Sequence, residues 1–189
     1  MGKYIGAKAF PDSSGLVPLD SATASSSATI SFDIPTGYAS VEWHFYNMHP
    51  ATDNVTFGFQ VNATDGADFN DSQIQSNYFR AKHHESGTTG LDYIADFDQA
   101  NGTAYQVLPN EVGNDNDQST SGVLTLFDPA STTYMKHFTA RFNDAHPSDI
   151  TMDCWIAGYI NDTTALDEIS FKFSSGNIDD GTIVMYGVT

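Results

Sequence analysis

Residues 168–188 read "EISFKFSSGNIDDGTIVMYGV", and the spacing of apolar side chains in this stretch decides the fold. Ile169, Phe171 and Phe173 fall on every second position, and Ile183, Met185 and Gly187 repeat the pattern. A period of two belongs to a strand, whose successive side chains point to opposite faces. The Asp180–Gly181 pair between the runs reads as a turn. The second run is unusual because its other face, Val184, Tyr186 and Val188, is also apolar. That face is expected to be buried, either by the chain's own opposing layer or by an adjacent subunit. The strand's edge needs cover of the same two kinds, since an open edge recruits other chains.

The alternation extends outward through most of the chain. "TISFDI" places Ile30, Phe32 and Ile34 on one side; "SVEWHFYN" does the same with Val41, Trp43 and Phe45. "VTFGFQV" repeats it with Val55, Phe57, Phe59 and Val61. Further strands are read in "SNYFRAK", "LDYIADF", "TAYQVL", "GVLTLF", "MKHFTARF" and "TMDCWIAGYI". Between them lie turn-forming clusters such as "NATDGADFND", "HESGTTG", "NEVGNDNDQSTSG" and "NDAHPSD". No segment holds helical spacing over three turns, and "NDTTALDE" could form one helical turn at most. Without helical crossovers the strands pair antiparallel, and ten or eleven of them close into a sandwich or barrel. The expected architecture is all-β: an antiparallel two-sheet jelly-roll sandwich over residues 30–189, with an extended N-terminal arm over 1–29. The arm is inferred from the Ser-, Ala- and Thr-rich "PDSSGLVPLDSATASSSAT", with Ile5 and Phe10 as anchors.

Composition agrees. The 189 residues suffice for one domain with a core. Aromatic residues reach 13%, mostly Phe (13) and Tyr (9), which suit pleated surfaces. The 24 acidic residues comprise 20 Asp and only four Glu, a choice that favours turns over helices. Against seven Lys and Arg they leave a net charge of −17. Such a surface repels phosphate backbones, so nucleic acid is excluded as a partner. No run approaches the length of an apolar membrane span. "MGKYIGAKAF" lacks the apolar core of a secretion signal, which implies folding in a cytoplasm.

The search for chemistry returns little. The single Cys154 excludes an internal disulfide and, in "ITMDCWIAGYI", reads as a buried thiol rather than a nucleophile. The six histidines show no metal-binding spacing. His83 and His84 point to opposite faces if on a strand, and His49 and His146, each before a proline, mark turns. "DGADFND" and "GNDNDQ" carry carboxylates at calcium-like density but do not fit the EF-hand pattern. No nucleophile motif occurs. N-x-[ST] triplets at Asn54, Asn62, Asn70, Asn101 and Asn161 follow from composition. No catalytic, cofactor-binding or metal-binding residue is assigned, and no cofactor. Trp43 shares a face with Val41 and Phe45 and reads as core, whereas Trp155 and several tyrosines are candidates for stacking on sugars.

The stretch "NDTTALDEISFKFSSGNIDDGTIVMYGV" resembles the C-terminal signature of a jelly-roll module found in virion structural proteins of tailed bacteriophages. The matching positions are Ile169, Phe171, Phe173, Ser175, Gly176, Asn177, Gly181, Thr182, Met185, Tyr186, Gly187 and Val188. Met185 stands where leucine is usual. Upstream, "DGADFNDSQIQSNYF" is similar to a first-half loop of that module, ending at Asn77 and Tyr78. The resemblance implies a structural, non-enzymatic role on the virion. The expectation is a capsid decoration (cement) protein that stabilises the head shell, a homotrimer bound to the major capsid protein. The alternative it implies is a head or tail fibre or knob component contacting the host surface, with glycans as a candidate ligand; a third reading is a free carbohydrate-binding module or a lyase-like sandwich enzyme.

Overall fold

The computed structural model describes residues 15–69 and 72–189. Thirteen strands and no helix occur among them. They are β1 (Leu16–Thr23), β2 (Ile30–Asp33), β3 (Ser40–Pro50), β4 (Phe57–Ala63), β5 (Ile74–His84), β6 (Thr89–Tyr93) and β7 (Ala100–Gly102). They continue as β8 (Gln106–Val107), β9 (Thr120–Phe127), β10 (Lys136–His146), β11 (Ile150–Ile160), β12 (Leu166–Phe173) and β13 (Ile178–Val188). All pairings are antiparallel. The larger sheet runs β1-β13-β3-β9-β10-β11-β5-β6, with β7 also on β5, and the smaller runs β2-β12-β4-β8. The protein is therefore a two-sheet antiparallel β-sandwich, and its crossings between sheets are compatible with a jelly roll.

The sheets are joined by the alternating residues read from the sequence. Phe171 of β12 packs on Trp43 and Phe45 of the larger sheet, at ring-centroid distances of 6.1 and 5.0 Å. Within its own sheet it meets Phe32 and Phe57 at 6.3 and 6.2 Å. Phe59 makes a second inter-sheet contact with Phe138 at 5.1 Å. Edge-to-face pairs of this kind add to the area they bury.

The terminal strand lies inside the larger sheet, between β1 and β3. Its edge is sealed by the chain itself, because residues 16–23 of the expected arm form β1. Ile5 and Phe10 lie outside the described residues. The Asp180–Gly181 pair is not a turn, as its sequence suggests, but an irregularity within β13. Register shifts there against β3, beside Asn47 at φ 51°. Gly181 adopts φ 120°, and a Cβ on it would sit 2.8 Å from both the Asn47 carbonyl oxygen and the Met48 Cα. The chain crosses between sheets earlier, through Ser174–Asn177, where Gly176 has φ 72°. His49–Pro50 likewise ends β3 rather than forming a turn.

The two outer faces differ. On β4 even the alternate positions Gly58 and Gln60 are buried, because the chain around 103–106 roofs the smaller sheet. Gln60 Nε2 donates to the carbonyls of Ser72, Thr103 and Ala104, and Tyr105 reaches Ser170 and the Lys172 ammonium. Gly58 permits this approach: a Cβ there would meet the Gln106 carbonyl oxygen at 2.7 Å. Among the described residues no such roof covers the larger sheet. Val184, Tyr186 and Val188 are half-buried, beside exposed Leu16, Tyr46 and Phe127.

Two outcomes follow. Phe171→Ala should cost about 3–5 kcal/mol in urea unfolding, since it opens a cavity between the sheets. Removing the residues after Gly181 should abolish cooperative unfolding altogether, because it takes out a strand paired on both edges. A folded truncated protein, seen by a native near-UV dichroism spectrum, would contradict this.

Candidate functional site

The outer face of the larger sheet is built by strand register. Opposed residues in antiparallel strands share a face, so successive pairings project a row across the sheet. One such row runs Ser21, Val184, His44, Val123, Arg141, Trp155, Phe79 and Tyr93. In its second half the Arg141 guanidinium lies 4.4 Å from the Trp155 ring centroid. Phe79 flanks Trp155 on the next strand, with nearly parallel planes and centroids 6.1 Å apart. Arg141 is fixed by two 2.9 Å bonds from Nε and Nη2 to the Asp153 carboxylate, which hold Asp153 below the usual carboxylate range.

Beside this ridge, one step along the strands, lies a row of smaller side chains: Asn77, Ala157, Thr139 and Thr125. Ridge and row together line a depression of about 420 Å³. Carboxylates are scarce along this surface. Glu42 is paired with His44 at 3.0 Å, and Asp153 with Arg141. In a chain of net charge −17 the carboxylate beside the ridge, Asp153, is locally compensated.

A second cluster gathers on the inward side of β5, β10 and β11. Tyr78 donates to Asn110 Oδ1 at 2.7 Å, and Asn110 Nδ2 and Arg80 Nη1 both donate to Glu111 Oε2, at 2.6 and 2.7 Å. Cys154 Sγ lies 3.5 Å from Asp144 Oδ1 and 3.7 Å from Asn110 Oδ1. The thiol is buried as its sequence suggests, but among polar rather than apolar groups. Burial and the Asp144 carboxyl push it up to about 12, and burial raises Tyr78 above its usual value. Neither group is an available nucleophile at neutral pH. Asp144 is 2% exposed, its Oδ2 has no hydrogen-bond partner, and burial raises its pKa to about 8. The nearby Arg80 Nε is likewise buried without a partner.

The other candidates stay apart. His83 and His84 both lie on β5 at successive, hence oppositely directed, positions. His49 Nδ1 is 2.7 Å from the Gln118 carbonyl oxygen, and His146 Nδ1 accepts the Ser148 N–H. "GNDNDQ" closes on itself through Asp115 and Gln118, while Asn70 and Asp71 of the other acidic loop lie outside the described residues. Among the described residues no three His, Cys, Asp or Glu are grouped to hold a metal ion. Trp43 is fully buried, whereas Trp155 is 40% exposed. Alternation alone marks Phe79, Arg141 and Trp155 as outward on their own strands. Their alignment depends on register, which no local signal carries.

Compared with known proteins, the chain matches no protein-family model and no curated protein.

The Asp144 carboxyl gives a pH prediction. Its folded value lies above the unfolded value of about 3.9, so the folded state holds the extra proton between them. The contribution to stability is full below about pH 4 and is lost as pH rises to about 8, at up to ~1.4 kcal/mol per pH unit. Asp144→Asn should therefore be more stable than the parent at pH 7 and show a flatter profile over that range. Parallel urea-unfolding profiles for the two proteins would remove the assignment.

Proposed function

We propose that the protein is a structural component of a tailed-bacteriophage virion, a capsid decoration protein that stabilises the head shell. The observation that carries this reading is the outer face of β13 and its neighbours, which no other described residues cover. Val184, Tyr186 and Val188 form an apolar strip bordered by exposed Leu16, Tyr46 and Phe127. Contiguous apolar surface of this kind is what a subunit buries against another molecule. The resemblance of residues 161–188 to a virion jelly-roll signature supplies the setting. In this reading the strip contacts the major capsid protein and neighbouring copies in a homotrimer. The role asks for contact area and not for reactive groups, and it assigns no catalysis. A second reading, a head or tail fibre component that touches the host surface, is favoured by the exposed Trp155 ridge on the other half of the same sheet.

Quantitative mass spectrometry of purified particles separates the two. Hundreds of copies per particle, with density on the head lattice, are expected of a decoration protein; tens of copies at the tail indicate the second reading. Tyr186→Glu should leave folding intact and abolish binding to undecorated heads. Wild-type protein that stays monomeric and binds no particle defeats both readings.

A further inference from the structure

We propose that the depression beside the Trp155 ridge binds an uncharged carbohydrate chain. The trough crosses β9, β10, β11 and β5, a run of three inter-strand spacings, or ~15 Å. Its floor is Thr125, Thr139, Ala157 and Asn77. One wall is Arg141, Trp155 and Phe79; one step along the strands on the other side stand His137, Tyr159 and Gln75. His137 and Tyr159 are themselves in edge contact, with centroids 5.9 Å apart. A volume of about 420 Å³ falls within the range of small-ligand sites.

The chemistry of the lining selects the ligand. Aromatic and guanidinium surfaces offer apolar, polarisable contact to C–H groups. The Thr125 and Thr139 hydroxyls and the Asn77 amide both donate and accept hydrogen bonds, which suits hydroxyls rather than ions. Arg141 commits Nε and Nη2 to Asp153, so its positive charge is already compensated. Nη1 has no hydrogen-bond partner among the described residues. A polyanion would meet no spare cation here and a net charge of −17 elsewhere. A peptide pairing as an extra strand would find the backbones of β9, β10 and β11 already bonded on both edges. A neutral polyol with apolar ring faces meets none of these obstacles. The site lies on the half of the sheet remote from β13, so it stands whether or not the assembly reading holds.

Tryptophan fluorescence reads the site directly. The chain has two tryptophans, of which Trp43 is fully buried and Trp155 is exposed to the trough. Short linear glucan, mannan and galactan oligosaccharides are titrated into the full chain, with an acidic uronan oligosaccharide as contrast. At least one neutral chain should shift the emission saturably, and the uronan should not. Trp155→Ala should weaken binding measured by calorimetry about tenfold or more. Thr139→Trp, which fills the floor without removing the ridge, should abolish it, and both variants should keep the parent's melting temperature within a few degrees. No saturable binding by any neutral chain overturns the proposal, as does binding that both variants retain. Concentration-dependent self-association that disappears in Trp155→Ala would also overturn it, assigning the face to a second copy.

Discussion

The fold depends on one aromatic junction between two sheets. Phe171 inserts between Trp43 and Phe45 of the larger sheet while touching Phe32 and Phe57 of its own. Neither sheet is wetted on that side, so the contact must be filled by large side chains at near-crystalline density. Alternation delivers such residues to one face of each strand. The same alternation dictates that every second residue faces outward, and the character of the molecule lies in what happens there.

The two outward faces are treated differently. The smaller sheet is covered by its own chain: Gln60 is buried and satisfied by three loop carbonyls, and Tyr105 lies over Ser170 and Lys172. The larger sheet carries apolar and aromatic side chains on β1, β13, β3, β9, β11, β5 and β6, with no layer of described residues above them. The edge of the terminal strand is nonetheless covered internally, since β1 pairs with it. Self-association through an open β13 edge is thereby blocked, and contact through its face is left available.

Charge reinforces this division. Acidic residues outnumber Lys and Arg by 24 to 7, but where the ridge stands Asp153 is compensated by Arg141. The buried carboxyl of Asp144 is the opposite case, a group held without a compensating bond to one of its oxygens. Burial there shifts the proton equilibrium towards the neutral acid.

The strands were largely legible from period-two alternation, and so were the inward set around Trp43 and Phe171 and the absence of helical spacing. These are local properties: pleat geometry couples each residue's face to its neighbours along the chain. Residues 16–23 were illegible as a strand because Pro18, Asp20 and Ser21 argue against one, and only pairing with β13 makes them so. Asp180–Gly181 has the chemistry of a turn and becomes an irregularity inside a strand because β3 and β1 hold it on both sides. The ridge of Arg141, Trp155 and Phe79 joins positions 141, 155 and 79, and the buried cluster joins Tyr78, Asn110, Asp144 and Cys154. Sequence by itself determined which side chains leave each strand on which side. Tertiary structure alone decided which of them meet, because register and sheet order are set by long-range pairing and carry no local signature.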